Sequence, residues 1–296
     1  MIRIGVDIGG SKIEVAALAE DGRIVKGRRE PAPRDYRAAL DLICSLVLET
    51  ERAVGERCTV GVGTPGAVSR ETGVLKNAYA SVLNTRPLKP DLERLLGREV
   101  RFANDANCFA LSEAIDGAAR GARIVFGVIL GTGVGGGIVV DGRAVEGANA
   151  IGGEWGHNSL PWPAADELPG PRCSCGRTGC VEAFLSGPGL ARDHLLRTGE
   201  SRLPAEIAEL AESGDPGCLA SLERYEERLA RALASVINLL DPEVIVVGGG
   251  LSNTERLYRG VPARWGRHVY SDTVVTWLVK AAHGDASGVR GAARLW

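Results

Sequence analysis

Apolar and polar residues alternate through residues 2–8, 12–19 and 23–28, the period of half-buried strands. Gly9-Gly10 and Asp21-Gly22 separate them, and the second pair is a hairpin signal. Tyr36, Leu40, Ile43 and Val47 then recur at helical spacing, which predicts an amphipathic helix over 35–54. A strand over 58–63 runs into Thr64-Pro65-Gly66. A further strand over 98–103 leads to a helix from Asn107 to Asp116. A second strand–strand–loop block begins at Arg123, and the section 141–185 reads as loop with three cysteines. Leu222, Tyr225, Leu229, Leu233, Val236 and Leu240 mark a long helix that stops before Asp241-Pro242. Val244-Ile245-Val246-Val247 reads as a buried strand entering Gly248-Gly249-Gly250, and Gly288 to Trp296 as a terminal helix.

A strand-rich module followed by helices therefore occurs twice. This is the pattern of an α/β protein with two lobes and a cleft between them. The expected division is 1–117 plus about 286–296 for the smaller lobe and 118–285 for the larger. The longest uncharged stretch, Ile124 to Val140, carries six glycines and breaks in the middle, so it reads as two strands around a turn and not as a membrane helix.

Composition changes this picture only in places. Hydrophobic residues make up 45% and charged residues 24%, a mixture able to bury a core. The formal net charge of -2 gives no pull toward nucleic acid or an anionic membrane. Seven cysteines, an odd number, behind a start that reads directly as a strand argue against a secreted disulfide framework and for a cytoplasmic location. The 40 glycines cluster in short motifs, which points to tight turns near ligands.

Three of those clusters suit phosphate. Asp7-Ile8-Gly9-Gly10-Ser11-Lys12 ends a strand in an acid, turns on two glycines and presents a hydroxyl and an ammonium. Its glycines would let backbone N–H groups approach phosphate oxygens, and Asp7 could hold Mg²⁺. A plain β-hairpin fits the same residues. Gly131-Thr132-Gly133 opens a second loop between two strands, and Gly248-Gly249-Gly250 a third after a buried strand, where a nucleotide can lie across a strand end. No G-x-x-x-x-G-K-[ST] loop occurs.

Asn104-Asp105-Ala106-Asn107 follows a strand and opens a helix. The Asp105 carboxylate could accept a proton from a sugar hydroxyl attacking a γ-phosphate, and it could equally be a helix cap. His157, Cys173, Cys175 and Cys180 read as H-x15-C-x-C-x4-C with Gly176 and Gly179 inside the knuckle, a set that suits tetrahedral zinc. Four protein ligands leave no open position for a zinc-bound water, which argues against metal hydrolysis.

The order of these motifs resembles the actin-like ATPase (ribonuclease H-like) fold of sugar kinases. More narrowly it resembles the ROK family (repressors, open reading frames, kinases), from Asp7 to Arg290-Gly291-Ala292-Ala293. Ser11 stands where that family usually has threonine. The resemblance implies an ATP-dependent hexose kinase with Mg²⁺ and a structural Zn²⁺. It implies Asp105 as catalytic base, Asn104, Glu154, His157 and Glu182 as sugar contacts, and the three glycine loops around ATP. Relatives are often dimers, so a homodimer is expected.

The contrasting function class is a sugar-sensing ROK repressor. Such a protein carries a DNA-binding helix-turn-helix ahead of the first glycine motif, and here that motif begins at residue 7. Among substrates, Trp155-Gly156-His157-Asn158 with Leu160-Pro161-Trp162 resembles the bacterial ROK fructokinases, so the 6-hydroxyl of fructose is the expected acceptor, with mannose or glucose next and N-acetylglucosamine as the alternative. An N-acetyl group needs apolar room and an amide partner, and either tryptophan could fill that room or stack on a sugar face. The charged run 223–228 reads as the solvated face of a helix.

Overall fold

The computed structural model describes residues 1–78 and 82–296. In chain order the first part comprises β1 (Arg3–Ile8), β2 (Lys12–Leu18), β3 (Ile24–Pro31), α1 (Tyr36–Val54), β4 (Thr59–Thr64), the short pair β5 (Ala67–Val68) and β6 (Leu75–Lys76), α2 (Leu88–Leu96), β7 (Val100–Asn104) and α3 (Asp105–Asp116). Then follow β8 (Ile124–Leu130), β9 (Val134–Val140), β10 (Arg143–Ala144), α4 (Val181–Leu185), α5 (Gly187–Thr198), α6 (Pro204–Glu212), α7 (Pro216–Leu240) and β11 (Val244–Gly248). The chain ends with α8 (Leu257–Gly260), α9 (Pro262–Trp265), β12 (Trp277–Lys280) and α10 (Ser287–Ala293).

Two five-stranded sheets share one plan. The first runs β3-β2-β1-β4-β7 and the second β10-β9-β8-β11-β12. In the first, β1, β4 and β7 are parallel while β2 and β3 return antiparallel. In the second, β8, β11 and β12 are parallel. The described residues form two compact units, Met1–Arg120 with Gly137–Gly153 and Asp285–Trp296, and Gly121–Gly136 with Glu154–Gly284.

The helices follow their caps. Asp35 accepts from the Ala38 N–H at 2.9 Å to start α1, and Gly55 ends it in the left-handed region at φ 79°. α3 begins at Asp105, two residues before the expected Asn107, because Asn104 takes the capping position. α7 starts at Pro216 behind an Asp215 cap, well ahead of the first periodic leucine.

In the first unit the C-terminal helix α10 lies directly on the sheet. A β-carbon on Gly5 would lie 1.9 Å from the Val289 carbonyl oxygen, and one on Gly61 1.9 Å from that of Ala292, so only glycine admits this approach. Residues 223–228 depart from the expected solvated face: Tyr225, Glu226 and Arg228 are buried. Arg228 donates to Glu167 at 2.7 Å and to Asp193 at 2.9 Å, and Glu226 pairs with Arg256 and Arg264. Pairing permits these charges inside, which a sequence period cannot reveal.

Candidate functional site

In the first unit, the register Asp7↔Gly63 and Gly63↔Ala103 aligns the C-terminal ends of three parallel strands. Ligands of open α/β sheets bind at this edge. Asp7 ends β1 there. Asn104 and Asp105 leave β7 at the same edge, one at the cap and one in the first turn of α3. Asn104 accepts from the Ala106 N–H at 2.9 Å and donates through Nδ2 to the Gly66 carbonyl at 3.1 Å. Asp105 Oδ1 also accepts from the next residue's N–H, at 2.8 Å, but the cap is Asn104, so the cap reading of Asp105 is corrected: it is the first residue of the helix.

The Asp7 carboxyl is pushed up to about 7, by burial and then by the carboxylates of Asp105 and Glu14, against the pull of Lys12 and Arg29. A group held near neutrality among acids is suited to a cation. In the turn that follows, the Gly9 N–H donates to the Lys12 carbonyl at 2.9 Å, and Gly10 and Ser11 are exposed. A β-carbon on Gly10 would touch nothing within 4 Å, so no packing contact demands glycine there. Lys12 Nζ lies 3.7 Å from Asp285 at the start of the C-terminal segment.

Beside Asn104, along the open edge of β7, is a cavity of 340 Å³ bordered by Ala67, Val68, Ser69, Asn107 and Glu146. Sequence reasoning missed it. The turn at Thr64-Pro65-Gly66 was its only signal.

In the second unit, the Gly131-Thr132-Gly133 loop and the Gly248-Gly249-Gly250 loop leave the C-terminal ends of adjacent parallel strands, β8 and β11. The Gly131 carbonyl accepts from the Gly187 N–H at 2.8 Å, which ties the loop to the start of α5.

His157, Cys173, Cys175 and Cys180 come together, with their ligand atoms all within 4.8 Å of one another. Tetrahedral zinc with Zn–S near 2.3 Å sets its sulfurs about 3.8 Å apart. Cys175 Sγ and Cys180 Sγ are 3.7 Å apart, and Cys173 Sγ is 3.5 Å from His157 Nδ1, so the donor set fits this ion. The knuckle is built by Cys173 N–H donating to Arg177 O at 2.8 Å and by Gly176 and Gly179 at φ 88° and 73°. Hydrogen bonds from the Arg177 backbone and side chain hold the Cys175 thiol down to about 6, while burial pushes Cys180 up to about 12.

Glu182, in the first turn of α4, joins two features that the sequence left apart. It accepts from Ser174 Oγ in the knuckle at 2.8 Å and from the Val134 N–H beside the glycine loop at 3.1 Å. Burial pushes the Glu154 carboxyl up; His157 opposes that shift and Glu182 adds to it. Each tryptophan has a protein partner of its own. Trp155 is buried, donates to Gly135 O at 3.2 Å and meets Phe126 edge-on, which anchors the His157 turn. Trp162 is half exposed and stacks on His268.

Comparison with known proteins bears on both units. Residues 3–296 match the model of the ROK family. The chain belongs to the ROK family. Among ROK relatives it is 41% identical, over 98% of both chains, to an N-acetyl-D-glucosamine kinase of Escherichia coli O6:H1. Its fold is that of the ROK sugar kinases. It superposes on a ROK hexokinase from Thermus thermophilus with a TM-score of 0.87 and 31% identity, covering 99% of this chain and 97% of that one. It also matches a ROK glucokinase from Streptomyces griseus solved with glucose and AMPPNP, at TM-score 0.81 and 29% identity over 100% and 99% of the two chains. No helix among the described residues is long and apolar enough to cross a membrane.

Proposed function

We propose that this protein is an ATP-dependent sugar kinase that transfers the γ-phosphoryl group to the 6-hydroxyl of N-acetyl-D-glucosamine. The substrate reading is carried by the 41% identity over 98% of both chains to a kinase of that sugar. The likeness of residues 154–162 to fructokinases favours fructose, but similarity along the whole chain outweighs those nine residues. A cytoplasmic location suits a chain whose clustered thiols are arranged for a metal.

Asp105 would take the proton from the acceptor hydroxyl as it attacks, and Asn104 and Glu154 would orient the sugar. Backbone N–H groups of the 9–12, 131–133 and 248–250 turns would hold the nucleotide, with Lys12 near its phosphates. Mg²⁺ at Asp7 would neutralise charge on those phosphates. Zn²⁺ on His157, Cys173, Cys175 and Cys180 would be structural, fixing the segment that carries Glu154 and Glu182.

An ADP-release assay across N-acetylglucosamine, glucose, mannose and fructose tests this reading. The expected result is a kcat/KM for N-acetylglucosamine at least about tenfold above fructose, with Asp105→Asn lowering turnover by about two to four orders of magnitude while sugar binding survives. A tenfold preference for fructose would reassign the substrate. No turnover with any sugar would remove the kinase assignment, and near-normal turnover in folded Asp105→Asn would remove the base.

A further inference from the structure

Glu226 on α7 is fully buried, and two arginines from the segment after β11 meet it. Arg256 donates to it through Nε at 2.5 Å and through Nη2 at 3.3 Å. Arg264 lies 3.2 Å from it through Nη1, which also donates to the Gly260 carbonyl at 2.8 Å. A β-carbon on Gly260 would stand 2.5 Å from the Glu226 carboxyl carbon, so glycine at 260 makes room for the carboxylate. A carboxylate buried in this way fixes the planes of both guanidinium groups.

A cavity of 530 Å³ opens on these groups, bordered also by Tyr258 and by the exposed Arg259, whose guanidinium has no partner among the described residues. A guanidinium carries five N–H groups, so Arg256 keeps Nη1, and Arg264 keeps Nε and Nη2, without a partner among those residues. The nearby carboxylates do not cancel this charge. Glu255 pairs with Lys280 at 3.2 Å, and Glu212 and Glu223, which act on Arg256 more weakly than Glu226 does, are exposed. Three arginines therefore answer to one carboxylate. Pre-aligned forks in an excess of positive charge suit the oxygens of a phosphate dianion. We infer that this cavity is a phosphate site, for free phosphate or for the phosphate ester of a small metabolite, with Arg256, Arg259 and Arg264 as donors and Glu226 holding two of them in place. Its volume leaves room for an organic body beyond the phosphate. Tyr258 Oη donates to the Ser252 carbonyl at 2.7 Å, so one wall of the site is tied to the turn after Gly248-Gly249-Gly250. The inference does not depend on which sugar the protein phosphorylates.

The test is calorimetry on the full chain with AMPPNP in excess, so that the glycine turns are filled. The probes are inorganic phosphate and ribose 5-phosphate, which is not a product of the proposed reaction. Each should bind at one site per chain, more weakly in added KCl, because salt screens the attraction. Arg259→Glu places a carboxylate at the exposed rim, and Arg264→Gln removes one fork. Each should weaken binding by about tenfold or more, the scale of a hydrogen bond to a charged group. Thermal melting checks that both variants fold. Where Arg264→Gln does not, Arg259→Glu, which has no side-chain partner to lose, reads the same affinity. Tighter binding of ribose 5-phosphate supports an ester as the ligand, and equal binding supports free phosphate; both uphold the site. No binding of either probe by the parent protein, or unchanged affinity in either folded variant, overturns the inference.

Discussion

At Asp7, stability and the proposed cation-binding role pull in opposite directions. Burial and the neighbouring carboxylates push its carboxyl to about 7, above the ordinary 3.8. The folded chain therefore binds a proton that the unfolded chain has released, and stability falls as pH rises from about 4 to 7. Above that window Asp7 is ionised at a cost. Replacing it by Asn should raise the stability of the metal-free protein at pH 8 by on the order of 1 to 3 kcal/mol, about one to two units of a raised pKa. The gain should vanish at pH 5, where Asp7 is already protonated, while MgATP turnover should collapse at both values. Melting curves at the two pH values decide it; equal effects at both would show that the burial acts through packing and not through charge. The residue types at this edge were legible in the sequence, because Asp7 lies near the end of one strand and Asp105 follows another. Their mutual electrostatic coupling was not, since nearly a hundred residues separate them.

At the scale of elements, most strands and the span of α1 were legible from period and turn chemistry. The His-Cys cluster was legible as well, because three cysteines and two glycines in a short loop leave few other arrangements. Ser174 was not. It looks like a spacer between two cysteines, but it donates to Glu182, which also accepts from Val134 at the glycine loop. The knuckle, Glu182 and the loop therefore share one hydrogen-bonded chain. Elemental analysis should find one zinc per protein chain. Cys175→Ala should lose it and most activity, because an unliganded knuckle no longer fixes Glu182. Ser174→Ala should keep the metal yet raise KM several-fold, since only the second link is cut. Full activity in metal-free protein would detach the knuckle from the site, and metal loss in Ser174→Ala would assign Ser174 to the knuckle instead.

For the whole molecule, the two sheets repeat one strand order, and the repeated strand-helix pattern made that plan readable from the chain alone. The expected smaller lobe already took in about 286–296, but how that segment packs on the first sheet was not readable. Glycine content pointed to ligand turns, but Gly5 and Gly61 serve packing. They let α10 lie against β1 and β4, where any β-carbon would stand 1.9 Å from a helix carbonyl. Gly10 has no such packing reason: it is exposed in its turn with nothing within 4 Å of where a β-carbon would stand. Paired substitutions separate the two. Gly61→Ala must push α10 away from the sheet, and overpacking of this sort costs about 1–3 kcal/mol or more. Its denaturant midpoint should fall, and the loss should unseat Ser287 from its 2.8 Å bond to Glu113. Gly10→Ala meets no obstacle, so its stability should stay within about 0.5 kcal/mol of the parent. Its added methyl group would stand where phosphate oxygens approach the backbone, so ATP binding measured by calorimetry should weaken at least several-fold. Unchanged ATP affinity in Gly10→Ala would take the first glycine turn out of the nucleotide site, whereas an unchanged midpoint in Gly61→Ala would mean that α10 can shift without loss.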